Sequence, residues 1–344
     1  MKKLLRLVLT TALLWLALTA SPAALAQDAP INVVATTTQA ADLATLLTQG
    51  VEDIQITGLM GAGVDPHLYK PTEADIAAMS AADAVIYSGL HLEGQFDTVF
   101  EALGQRGVII LPLSKPVKDA GFVIGGFTLS AELTNVDDPH FWFDPRNWEM
   151  SALELAEALA RLDPAHAETF RANAQAYTAQ LQALFAWGEA GMSSVPEAQR
   201  HLVTSHDAFQ YFGGAFGWQM TSIQGISTAD EAGVGDVQAV IDTVIEGGIP
   251  VLFVESSVSP ATINAVQEGV RAAGGAVRLG VRSLYSDAMD IPGTFGGTYT
   301  GMIASNIYTI LQSFQCAGVA VTIPEWDSAV QPEPPADLLA PDCQ

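Results

Sequence analysis

The chain has 344 residues, 49% of them hydrophobic, with 14 Lys and Arg against 38 Asp and Glu. A formal charge of −24 at pH 7 excludes nucleic acid or an anionic membrane as the main partner, because the long-range electrostatic term that drives such binding is repulsive here. The length is enough for two hydrophobic cores.

The first segment, MKKLLRLVLTTALLWLALTASPAALA, joins a basic start (Lys2, Lys3, Arg6) to an apolar run and then to the small residues Ala24-Leu25-Ala26. Residues 1–26 read as a secretory signal peptide cleaved after Ala26. No cysteine stands at that junction for lipid attachment, and no later apolar run approaches the ~18 residues of a spanning helix. The expected product is an exported, periplasmic, soluble monomer with no direct membrane insertion.

Apolar runs at Ile31–Thr37, Gln55–Met60, Ala84–Gly89 and Val108–Leu113 predict strands, with helices near 39–48, 72–80 and 94–104 between them. Residues 163–191 follow, rich in Ala, Gln, Glu and Leu and without proline after Pro164, which suits a first helical turn behind Asp163. A helix of about 25 residues would be a rod about 38 Å long. A second series then predicts strands at His201–His206, Trp218–Gln224, Pro250–Glu255 and Ala276–Val281, with helices near 233–246 and 259–273.

Strands such as VVATT, AVIYSG and VLFVES are apolar on both faces, as parallel strands covered by helices are. Alternation of β and α in two blocks predicts an α/β protein with two doubly wound lobes joined by a long rigid helix. The N-terminal lobe would span 27–162, the linking helix 163–191 and the C-terminal lobe 192–323. Residues 324–344, rich in proline, read as an irregular tail rather than core. The two cysteines, Cys316 and Cys343, suit a disulfide that ties this tail down in an oxidising compartment, and with no CxxC present thiol redox chemistry is not expected.

Two of the six histidines share one local frame, Asp-Pro-His, at 65–67 and again at 138–140. His67 falls in the loop after the second predicted strand, His140 in the loop leaving the first block, and His206 at the end of HLVTSH. Asp287, in LYSDAM, follows the last predicted strand. Ligands of open α/β sheets gather at the carboxyl ends of strands, so two residues from each block could meet between the lobes. Three imidazoles and one carboxylate suit a divalent transition metal. Imidazole serves Zn, Cu, Fe and Ni, a carboxylate extends the range to Mn, and Ca or Mg would want mostly oxygen. The residues alone leave this open, since a lone histidine is more often a structural hydrogen-bonder and Asp-Pro is a common turn.

The stretches GAGVDPHLYKPTEADIAAMSAADAVIYSGLHLEGQF, DPHFWFDP, LVTSHDAFQYFGGAFGWQ, VLFVESSVSP and LYSDAM…GTYTGMIASNIYTIL resemble, in order, the zinc/manganese family of periplasmic metal-binding proteins that serve ABC importers. The resemblance runs from about residue 31 to 315. It implies two α/β lobes joined by one long helix, with the metal between them in the cleft. Carried across motif by motif, it implies His67, His140, His206 and Asp287 as ligands of a transported Zn2+ or Mn2+, and a membrane permease as partner. Many zinc-dedicated members carry a His- and acid-rich loop before the second ligand, and SKPVKDAGFVIGGFTLSAELTNVDDPH has none. Several manganese members have Glu where His206 stands, so the two departures point in opposite directions.

Other residues carry competing readings. His91 suits a strand-to-helix junction, with direct metal contact as the alternative. Glu255 ends a predicted strand as either a partner of a ligating imidazole or a ligand itself. Asp65, Asp138 and Asp144 could accept the outer ring N–H of a ligating histidine or simply form turns. Tyr69, Trp142 and Phe143 could wall the ion or be plain core, while His166 and His201 read as structural. Gly58, Gly61 and Gly63 make no GxGxxG frame and no Walker motif occurs, which disfavours nucleotide. Four protein ligands would close the shell and leave no place for activated water, so a carrier rather than an enzyme is expected. The alternatives are a secreted metal-dependent hydrolase with Glu255 as base, although HExxH and GxSxG are both lacking, and a surface adhesin.

Overall fold

A computed structural model describes residues 30–129, 133–340 and 343. The expected leader, 1–26, lies outside the described residues. The first lobe alternates β1 (Ile31–Ala35), α1 (Thr38–Leu47), β2 (Ile54–Gly58), α2 (Glu73–Ala81), β3 (Ala84–Tyr87), α3 (Asp97–Gln105) and β4 (Ile109–Pro112). Its strands form one parallel sheet in the order β2-β1-β3-β4. Val33 pairs in register with Ile56 on one side and Ala84 on the other. Val33, Ala35 and Ile86 bury against Leu43 and Leu47 of α1 on one face. Val34 and Val85 bury against Met79, Phe96, Phe100 and Leu103 on the other. Burial on both faces is why the central strands read as unbroken apolar runs. The Thr37 hydroxyl caps α1 by accepting from Ala40 N–H, and Thr72 with Asp75 forms a capping box at α2.

After α4 (Lys115–Asp119) comes a short antiparallel hairpin of β5 (Phe127–Thr128) and β6 (Thr134–Val136). Two long helices then run in sequence, α5 (Pro145–Leu162) and α6 (Ala167–Met192). The expected linking helix is therefore present as α6, preceded by one 3-10 turn at Pro164–His166 that the Asp163 side chain caps. Its buried stripe is Phe170, Ala174, Tyr177, Leu181, Leu184 and Trp187, spaced three or four apart. Near its end, a Cβ on Gly188 or Gly191 would lie 2.7 Å from Ile307 or Leu311 respectively. Glycine at both positions lets the neighbouring helix, Tyr299–Cys316, pack closely without displacing those side-chain ends.

The second lobe continues with β7 (His201–Thr204), α7 (Gln210–Phe216), β8 (Gln219–Ser222), α8 (Val234–Gly247), β9 (Val251–Leu252), α9 (Ala261–Ala272), β10 (Arg278–Leu279), α10 (Tyr299–Cys316) and α11 (Ala336–Leu339). Strands β7 and β8 pair in parallel, as do β9 and β10. Phe253 N–H donates to Val203 O at 2.9 Å, which sets β9 beside β7. The resulting order, β8-β7-β9-β10, repeats that of the first sheet. One apolar cluster includes residues of both lobes, from Val33 and Leu43 through Trp148 and Leu184 to Phe253 and Ile307.

Residues 299–314 of α10 are all buried, so this helix is core rather than surface. The described part of the tail is irregular apart from α11, as its prolines suggest, but the expectation that it lies outside the core is corrected. Val330 and Leu338 join the main apolar cluster, and Trp326 packs on Trp187 with ring centres 5.0 Å apart. Arg278 donates to the carbonyls of Cys316 and Cys343 at 2.6 and 2.9 Å, and Arg282 to that of Asp337 at 2.7 Å. Cys316 and Cys343 are disulfide-bonded with a sequence separation of 27. Closing a loop of that size contributes about 3.5 kcal/mol in the chain-entropy account. Among the described residues, no helix is long and apolar enough to cross a membrane.

Candidate metal centre

The two Asp-Pro-His frames share one hydrogen bond, and its cause is local. In each, the Asp carboxylate accepts the backbone N–H of the histidine two positions on: Asp65 from His67 at 2.9 Å and Asp138 from His140 at 2.9 Å. Proline between them fixes φ and needs no donor, so Asp-Pro-His makes a rigid Asx-type turn that aims the imidazole. His206 obtains the same support from a distant residue. Glu255, at the end of the β9 segment, accepts His206 N–H with one oxygen at 2.8 Å and meets Nδ1 with the other at 2.5 Å. Asp138 likewise meets His140 Nδ1 at 2.7 Å. Both rings are thereby fixed with Nε2 facing inward.

Asp287 closes the cluster from the loop before α10. Gln39 Nε2 of α1 donates to its carbonyl at 3.0 Å, and Thr38 Oγ1 accepts Met289 N–H at 2.9 Å. Ser257 lies 3.4 Å from its Oδ2. This ligand candidate, from the second block in sequence, is therefore held by both lobes, and the even division of two residues per lobe does not describe its anchorage.

The four side chains meet. His67, His140, His206 and Asp287 are all buried and each offers a ligand atom within 4.8 Å of the others. His67 Nε2 is 3.4 Å from His140 Nε2; Asp287 Oδ1 is 3.2 Å from His140 Nε2, and its Oδ2 3.3 Å from His206 Nε2. A tetrahedral zinc shell with bonds of 2.0–2.1 Å has ligand–ligand edges of about 3.3 Å, so the His67–His140 contact and either one of the two Asp287 contacts already match it. His206 Nε2 and Asp287 Oδ1 make no hydrogen bond among the described residues although both are fully enclosed. Buried polar atoms left so are costly unless something pairs with them, and a central cation would.

Electrostatics point the same way. Burial alone would lower His140, but Asp138 and Asp287 overcome it and push the ring up to about 9. Against the same burial, Asp287 and Glu255 raise His206 well above its ordinary value. His67 is pushed down to about 3 by burial, with Asp287 opposing and His140 reinforcing the shift. Burial would raise Asp287, yet the two cationic rings hold it well below the usual carboxylate range. The pocket is thus built to hold positive charge at its centre, whether protons or a metal.

The structure separates the competing readings. Glu255 is a partner of His206 and not a ligand, since both its oxygens are engaged by that residue. His91 is exposed, with its Nδ1 2.9 Å from Asp97, and lies outside the cluster. Asp144 caps α5 and pairs with Arg146 at 2.8 Å instead of supporting a histidine. Trp142 does wall the site, its ring centre 5.3 Å from that of His140. Tyr69 instead donates to Asp75 and stacks near Phe96, and Phe143 packs on Phe209. His166 and His201 are structural, bonded to Asp163 and Thr221 respectively. Sequence reasoning missed Thr38, Gln39 and Ser257, whose neutral polar side chains carry no signal of their own.

The family described as zinc-uptake complex component A, periplasmic, matches residues 33–313. The chain is 41% identical over 288 residues to the manganese-binding lipoprotein MntA of Bacillus subtilis, covering 84% of this chain and 91% of that protein. It is 39% identical over 287 residues to the zinc-binding protein TroA of Treponema pallidum, covering 83% and 89%. The solved structure of periplasmic zinc-binding protein TroA from Treponema pallidum aligns with a TM-score of 0.75 at 37% identity, over 83% of this chain and 99% of that one.

Proposed function

The chain belongs to the periplasmic zinc-uptake component A family, and from that premise we propose that it captures a divalent transition metal, Zn2+ or Mn2+, and delivers it to the membrane permease of an ABC importer. The metal is cargo, held by His67, His140, His206 and Asp287. The protein works as an exported periplasmic monomer whose leader is cleaved after Ala26.

The observation that carries this reading is the enclosure of four ligand atoms from four separate segments, within 4.8 Å of one another, with no exposed member. Enclosure suits holding and release rather than turnover, because a catalytic site keeps one coordination position open. The hydrolase alternative also loses its base, since Glu255 is occupied by His206 N–H and Nδ1. Relatives named for manganese and for zinc match almost equally well, so identity gives no preference. Three nitrogens and one carboxylate bind Zn2+ more tightly than Mn2+ by the Irving–Williams order, and zinc is the ion expected to fill the site in vitro.

Protein purified from its native periplasm without added metal is expected to carry about one equivalent of Zn2+ or Mn2+ and to hydrolyse no ester or peptide. Metal-free protein, or hydrolysis that a chelator abolishes, contradicts the carrier reading.

A further inference from the structure

We propose that Thr228 is a positioning residue that latches the lobes over the site and slows release of the ion. The inference rests on the metal-capture reading and adds a determinant of its kinetics.

Thr228 sits in the loop between β8 and α8 and is nearly buried. Its hydroxyl donates to Asp65 Oδ2 at 2.6 Å, across 163 residues of sequence. Asp65 is the carboxylate whose other oxygen shapes the His67 turn. The start of the same loop is tied to the opposite ligand: Gln224 N–H donates to Ser205 O at 3.0 Å, and Asp207 N–H to Gly225 O at 3.1 Å, on either side of His206. A continuous path therefore runs from His206 through its flanking backbone, the 224–228 loop and the Thr228 hydroxyl to Asp65 and His67. The side-chain bond in the middle of that path joins the second lobe to the first.

A second contact shows that the 61–67 turn faces the other lobe closely. Gly63 has φ +69°, and a Cβ placed there would lie 3.6 Å from Ser256 O. The turn that carries His67 is thus laid against two second-lobe loops, one of them the segment just after Glu255.

The Thr228–Asp65 bond has its two ends on different lobes, so parting His67 from His206 by moving one lobe away from the other breaks it. A hydroxyl donating to a carboxylate is a charge-assisted hydrogen bond. Among the described residues the Thr228 hydroxyl bonds Asp65 and none of the four ligand side chains, so its loss should leave the four donors and the stoichiometry intact. What changes is the balance of closed against open protein, and a bond made only after closure acts on departure rather than on encounter.

The test is stopped-flow transfer of Zn2+ from loaded protein to excess chelator, for wild type, Thr228→Val and Thr228→Ser. Association rates and the unfolding temperature of the metal-free proteins are measured alongside. Valine keeps the shape without the hydroxyl and is expected to release zinc roughly tenfold faster. Its association rate should stay within about twofold of wild type, with one ion still bound and metal-free melting unchanged. Serine, which restores the donor, is expected to release at close to the wild-type rate. Wild-type release from the valine variant overturns the latch, as does serine releasing as fast as valine or a drop in metal-free melting that accounts for the change. A wild-type protein that binds no zinc overturns instead the metal-capture reading beneath it.

Discussion

Replacing His140 with alanine is expected to weaken Zn2+ binding about a thousandfold or more while the protein still folds. The ring supplies a donor 3.2 Å from Asp287 and 3.4 Å from His67, and no other side chain in the cluster can take its place. Altering an outer acceptor of a metal-bound histidine costs about ten- to a hundredfold in affinity, and losing the ligand itself must exceed that. The substitution also takes from Asp138, a fully buried carboxylate, the ring that meets it at 2.7 Å, and leaves it the backbone N–H of position 140. The metal-free protein should therefore melt lower too, because a buried charge without its partner is costly. His67→Ala should match it in lost affinity but not in lost stability, since burial holds His67 neutral and, among the described residues, its ring makes no hydrogen bond to a carboxylate. Calorimetric titration with melting curves checks both, and unchanged affinity in the two variants would remove these histidines from the shell.

The second large effect is on pH. Zinc affinity should keep rising with pH to about 9 rather than levelling off near 6.5, where an ordinary imidazole has lost its proton. Without the ion, His140 keeps its proton up to about 9, because Asp138 and Asp287 outweigh burial, and His206 is raised well above its ordinary value by Asp287 and Glu255. Binding at Nε2 must expel both, so about two protons leave per ion at pH 7.5 and the dissociation constant falls steeply with each pH unit. His67, pushed down to about 3, has no proton to lose and adds nothing to the slope. The same linkage has an opposite sign for the metal-free fold. A folded value above the unfolded one gives stability that is complete below about 6.5 and is lost as pH rises through about 9. Calorimetry in two buffers of different ionisation enthalpy counts the protons. A count near zero, or a dissociation constant flat between pH 7 and 9, contradicts the charge arrangement.

The parts legible in the sequence are those whose cause is local. Central strands buried on both faces leave apolar runs, and a 26-residue helix leaves a long stretch without proline. The Asp-Pro-His turns are legible because the Asp that shapes each one is two residues from the His it aims. Glu255 was visible as an acid at a strand end, but nothing local shows that it reaches a histidine 49 positions away. Helix α10 leaves no periodic signal because it is buried on every side, with Asn306, Thr309 and Gln312 enclosed alongside its apolar residues, which removes the contrast that marks an amphipathic helix. The tail misled for a related reason. Its prolines signal irregular chain, whereas the burial of Val330 and Leu338 depends on tertiary packing that composition does not reveal. Gln39 and Thr228 lay beyond sequence reasoning altogether, since each matters through one hydrogen bond to a residue 248 or 163 positions away.

X-ray absorption at the zinc edge of the loaded protein reads whether three imidazoles and one carboxylate enclose the ion without solvent. Three histidine nitrogens and carboxylate oxygen are expected at about 2.0–2.2 Å, with multiple scattering from three rings. A spectrum with fewer than three rings, or with a solvent oxygen in the shell, would contradict that enclosure.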